Sequence, residues 1–133
     1  MNKDDLLSYL ISKKRYLDTK ERLMEFEMTI YYPPSPVYDG MPKSHTETIT
    51  ILSAAVDRHD ELVKQNNAAL TAYILAGKQL DLIESRLNQT EADIIERRYR
   101  LGMRWESIAE SINYSLRSTM RVHKEIIEKI SKF

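Results

Sequence analysis

Apolar residues recur along most of this chain at intervals of three and four, the spacing of one face of an α-helix. The longest such run is Ile49, Leu52, Val56, His59, Val63, Asn66, Leu70, Tyr73, Gly77, Leu80, Glu84 and Leu87. Its mostly 3-4 alternation is the coiled-coil pattern. It predicts a helix from about Thr46 to Asn88, extending roughly 60 Å at ~1.5 Å per residue. A shorter run, Leu6, Leu10, Leu17, Met24, Met28 and Tyr31, predicts a helix from about Asp4 to Tyr31. Lys13, Lys14, Lys20 and Glu21 interrupt that seam. No stretch alternates with period two for long enough to argue a sheet.

Between these runs lies Pro33-Pro34-Ser35-Pro36-Val37-Tyr38-Asp39-Gly40-Met41-Pro42, which holds all four prolines. Proline cannot continue a helix, and Asp39-Gly40 is a turn signal. The expectation is an all-α chain: a long antiparallel, coiled-coil-like helical hairpin over residues 1–89, with a proline-rich loop at 33–44. Gly77, inside the second helix, marks a bend or a close helix crossing. His59 and Asn66 lie on the stripe and are expected to form polar layers that fix register. The unequal helices leave apolar stripe unpaired, to be covered either by the C-terminal module or by a second copy in a homodimer through the N-terminal helices.

Residues 90–133 follow a different rhythm: TEADIIERRYRLGMRWESIAESINYSLRSTMRVHKEIIEKISKF. Thr90 with Asp93 reads as a capping box, Ile94, Ile95 and Tyr99 as an apolar face, and Gly102 as a stop. Trp105, Ile108, Ala109 and Ile112 fall at i, i+3, i+4 and i+7 of a short helix, with Trp105 in the core. Asn113 suits a tight turn that needs positive φ. Tyr114 is expected to plug the gap between helices, and Ser115 to cap a final helix from Leu116 to about Ser131. In that helix Thr119, Val122, Ile126, Ile127 and Ile130 point inward. Together these elements predict a three-helix module containing a helix-turn-helix.

Charge supports the regional reading. The whole chain has a formal net charge of zero, but residues 90–133 carry +2 and residues 1–89 carry −2. From Arg97 onward there are 9 basic and 4 acidic residues. A local basic surface can hold phosphates whatever the total charge. The final helix would display Arg117, Ser118, Arg121 and Lys124 in its first turns, with Ser115 at its start and Arg98, Arg100 and Arg104 flanking. Those residue types contact phosphates and base edges in a major groove. Arg117 and Arg121 are assigned to base edges, and Arg97, Arg98, Arg100 and Lys124 to phosphates. His123 is the best placed of the three histidines for a DNA contact, with a solvated ring as the alternative.

Thr90–Ile130 resembles region 4 of bacterial sigma factors through Glu91–Tyr99, Gly102, Ser107-Ile108-Ala109-Glu110, Ser115 and Lys129. It is also similar to small phage and prophage regulators of the ArpU late-regulator type. That likeness rests on Arg98-Tyr99, Gly102, Trp105, Ile108-Ala109, Tyr114-Ser115, Arg121, His123 and the loop Ser35–Pro42. The resemblance implies a phage-encoded transcriptional regulator that binds double-stranded promoter DNA in the bacterial cytoplasm and meets RNA polymerase. Arg104 stands where such modules usually place a Ser or Thr cap, and Thr119 where a buried Val or Ile is usual. No stretch resembles the sigma region that melts promoters.

Other chemistry finds little footing. There is no cysteine, so no disulfide, Cys-based zinc site or thiol nucleophile. No HExxH motif, phosphate-cradling glycine loop or acid–base carboxylate pair occurs, so neither enzyme, metal site nor cofactor is expected. Met1-Asn2-Lys3-Asp4-Asp5 lacks the form of a secretory signal, and no apolar run would span a membrane. The competing readings are a small-terminase-like packaging protein and a helical protein-binding adaptor.

Overall fold

The computed structural model describes residues 1–31 and 45–133. Among the described residues there are five α-helices and no strand. They are α1 (Lys3–Tyr31), α2 (His45–Ser85), α3 (Gln89–Ile95), α4 (Trp105–Ser111) and α5 (Leu116–Ile130). No described helix is long and apolar enough to cross a membrane. The expected proline-rich loop at 33–44 lies outside the described residues. The described residues group into two compact units, one within 1–14 and 72–133 and one within 15–71.

In the 15–71 unit, α1 and α2 segments pair antiparallel. Thr19 Oγ1 reaches Asn66 Oδ1 at 3.2 Å, and Glu27 Oε1 meets His59 Nε2 at 3.0 Å. Both polar residues of the α2 stripe thus have a partner on α1. Leu62 and Ala69 are buried between them.

The α2 seam is offset from the expected one. The inward positions are Ala55, His59, Leu62, Asn66 and Ala69, while Val56 is exposed. In the other unit the same rhythm continues with Tyr73, Ala76, Leu80 and Ile83. Every second seam residue therefore lies one position before the expected one, with Ala55 in place of Val56, Ala69 in place of Leu70 and Ile83 in place of Glu84. At Ala55 and Ala69 the smaller neighbour takes the seam, and alanine lets two helix axes come closer than a branched side chain would; Leu62, Ala76 and Ile83 follow the same register. Likewise Leu17, Met24, Met28 and Tyr31, expected on the α1 seam, are each half or more exposed.

The 1–14 and 72–133 unit has a single core: Leu6 and Tyr9 of α1, Ala76, Leu80 and Ile83 of α2, then Ile94, Ile95, Tyr99, Ile108, Ile126 and Ile130. Gly77 packs against Tyr9 of α1, and a Cβ added to it would sit at an ordinary 3.5 Å from that ring. The Tyr9 and Tyr73 hydroxyls lie 3.0 Å apart beside it.

The start of α3 differs from the Thr90–Asp93 expectation. Asn88 is the cap: its Oδ1 accepts from the Glu91 N–H at 2.9 Å, and Glu91 Oε1 accepts from the Asn88 N–H at 3.1 Å. This reciprocal box satisfies two helix-end donors, and the longer glutamate arm makes it. Lys129 of α5 also donates to Glu91, at 3.1 Å.

Candidate nucleic-acid interface

The candidate interface is built on the turn between α4 and α5. Asn113 adopts φ 60° there, a left-handed conformation that asparagine tolerates better than most residues. The Tyr114 N–H donates to the Ala109 carbonyl at 3.0 Å, tightening the turn. Ala109 is buried, so no bulk holds the helices apart. Ser115 Oγ accepts from the Ser118 N–H at 3.1 Å and caps α5. The two serine hydroxyls also bond each other at 2.9 Å. Tyr114 does not plug the interhelical gap: it is 42% exposed. Its side chain instead borders a groove of about 410 Å³ with Asn88, Thr90, Glu91, Val122 and Glu125.

One face of α5 is fixed by the core and the opposite face is open. Thr119, His123, Ile126 and Ile130 are buried. The Thr119 hydroxyl donates to the Ser115 carbonyl at 2.9 Å, which satisfies this buried polar group. Leu116, Arg117, Met120, Arg121 and Lys124 face outward. Arg117 and Arg121 are one turn apart on that surface and have no ion-pair partner among the described residues. Leu116 and Met120, 43% and 40% exposed, lie beside them and were not among the expected contacts. Their exposure on the arginine face is the signal that helical spacing alone could have supplied.

The flanking arginines divide. Arg104 is exposed at the start of α4 and occupies its N-cap position without a side-chain cap bond. Arg98 turns inward: its Nη1 donates to the Met103 carbonyl at 2.8 Å, and its guanidinium lies 4.8 Å from the centre of the Trp105 ring. Arg100 is also engaged. Its Nε donates to Glu84 Oε1 at 3.0 Å, and its Nη2 pairs with Asp81. Burial acts to lower the Arg100 pKa, but Glu84 and Asp81 outweigh it and the net shift is upward. Arg97 Nη1 lies 3.8 Å from Asp93. These arginines brace a π-helical turn, Glu96–Arg100, whose last bond runs from the Leu101 N–H to the Glu96 carbonyl at 3.1 Å. Gly102 at φ 67° then reverses the chain toward α4.

His123 is neither at the interface nor solvated. It is 8% exposed, beneath the outward face of α5. Its Nε2 lies 2.6 Å from the Tyr99 hydroxyl, and its ring meets Trp105 edge-on at 4.5 Å between centroids. Burial, with Lys3 and Arg98 nearby, pushes its pKa down to about 4. Burial also raises the Tyr99 pKa. A protonated phenol thus faces a neutral imidazole, and the Tyr99 hydroxyl and Nε2 share a hydrogen bond. This group locks α5 to the π-helical turn and to α4.

Among the described residues, no group of three or more His, Cys, Asp or Glu side chains could hold a metal ion. No protein-family model, curated protein or solved structure matches the chain.

Proposed function

We propose that the protein is a DNA-binding transcriptional regulator, phage- or prophage-encoded, that recognises promoter DNA through α5. The observation that carries this reading is the outward row of Arg117, Arg121 and Lys124, with no ion-pair partner among the described residues, on a helix that a capped, left-handed turn joins to α4. Arginine forks match guanine edges, and lysine neutralises phosphate. In this reading Arg117 and Arg121 enter the major groove. Lys124, Arg104 and the Ser115–Ser118 end of α5 meet the backbone. Arg98 and Arg100 serve chiefly by holding the module in shape, since their guanidinium groups already have protein partners.

The sigma-like pattern supports RNA polymerase as a protein partner. The reading assigns no chemical reaction to the chain and no cofactor. Its test is selection of bound fragments from a random DNA pool, followed by affinity measurements over a range of salt. A shared sequence among the selected fragments, with affinity falling as salt rises, is the expected result. Binding to no DNA, with a protein partner captured instead, would favour the adaptor reading.

A further inference from the structure

Among its described residues, the 15–71 unit leaves one apolar face uncovered. Met24, Met28 and Tyr31 of α1 are 53%, 60% and 69% exposed, and Ile49, Leu52 and Val56 of α2 are 53%, 60% and 58% exposed. The Glu27–His59 contact, at 3.0 Å, places both sets on one side of the helix pair. Met24, Glu27, Met28 and Tyr31 line a shallow groove of about 180 Å³ around the α1 end of that contact. On α2, Val56 lies three residues before His59, and Leu52 and Ile49 continue the same stripe one and two turns further back. Another groove of this unit, about 260 Å³, has a different character, with Arg22, Glu25, Thr29 and Arg58 among its lining.

We propose that the apolar face is where a second copy of this chain docks, giving a twofold dimer with the helix pairs stacked as the two layers of a four-helix bundle. Two paired helices form one layer, and an amphipathic layer is stable when a second covers its apolar side. The six side chains offer on the order of 600 Å² per chain, the size of the largest patch on a typical monomer. That is also the lower bound, ~600 Å² per partner, for a specific interface. A twofold contact needs the same patch on both partners, which this face supplies. None of the six side chains is charged, and Glu27 and His59 beside them already partner each other, so the face is chiefly apolar.

The test uses the full chain in sedimentation equilibrium at high micromolar concentration, with Met28→Lys, Val56→Lys and the control Leu75→Lys. All three positions are more than half exposed, so circular dichroism should show each variant folded. The expected result is a dimer for the parent and for Leu75→Lys, with dissociation constants at least about tenfold weaker for the other two. A monomeric parent would overturn the proposal. If Met28→Lys also melted earlier than that monomer, the face would belong to residues 32–44 of the same chain. A dimer that Leu75→Lys breaks and Met28→Lys and Val56→Lys leave intact would overturn it equally, by moving the contact to another surface.

Discussion

Acidifying the solution should loosen the C-terminal module through one residue, His123. Its imidazole is 8% exposed and its folded pKa is about 4, against an ordinary 6.5. Above pH 6.5 both the folded and unfolded chains hold a neutral ring, and the group carries no penalty. Below it, the unfolded chain takes up a proton that the folded chain refuses until about pH 4. Stability is therefore full above pH 6.5 and falls as the pH drops through the window from 6.5 to 4. The slope is ~1.4 kcal/mol per pH unit, so this one group removes on the order of 2 kcal/mol by pH 5 and about 3 kcal/mol by pH 4. The local cause is visible: a charged ring would be buried, with Lys3 and Arg98 nearby. Trp105, the only tryptophan in the chain, lies against His123 and reports on this unit by fluorescence. Urea unfolding of the parent and of His123→Gln at pH 7, 6 and 5 gives the comparison, because carboxylate titrations common to both cancel. The parent should lose about 2 kcal/mol more than the variant between pH 7 and 5. Parallel losses, or a folded-state His123 titration by NMR at 6.5 or above, would refute the reasoning.

Two further substitutions probe the same unit. Gly77→Ala should raise stability by up to about 1 kcal/mol in thermal or urea unfolding, since alanine favours the helix and its Cβ would meet the Tyr9 ring at an ordinary 3.5 Å. A loss would mean that the α1–α2 crossing is tighter than described. Ser115→Ala should cost about 1 kcal/mol through the lost α5 cap, and it should weaken DNA binding by loosening the start of that helix. Unchanged stability would remove Ser115 from the capping role.

Much of the module's local geometry was legible because short-range chemistry dictates it. Asn113 at a positive φ, Ser115 as a cap and Ala109 in the core each follow from what one residue type can do at one position. The helical seam was harder. Val56 and Ala55, or Leu70 and Ala69, are neighbours in sequence and both apolar. Periodicity locates such a stripe only to within one residue, and the packing against α1 then fixes the register. The α3 cap was ambiguous for a similar reason, because Asn88–Glu91 and Thr90–Asp93 have the same spacing. His123 was not legible at all: an imidazole at that position suits solvent, DNA or core, and only the Tyr99 hydroxyl brought from 24 residues away decides it. Arg98 and Arg100 read as part of a basic surface until Met103, Glu84 and Asp81 are seen to hold them.

The outward face of α5 is the surface proposed to meet DNA. The most direct test is the affinity of Arg117→Ala and Arg121→Ala for a selected DNA site and for a scrambled one. Both side chains are exposed, so both variants should fold as the parent does. If the arginines read base edges, each change should cost about 1–3 kcal/mol on the selected site, relax preference at one base pair, and leave binding to the scrambled site nearly unchanged. Binding by both folded variants that equals the parent's on the selected site would contradict the claim.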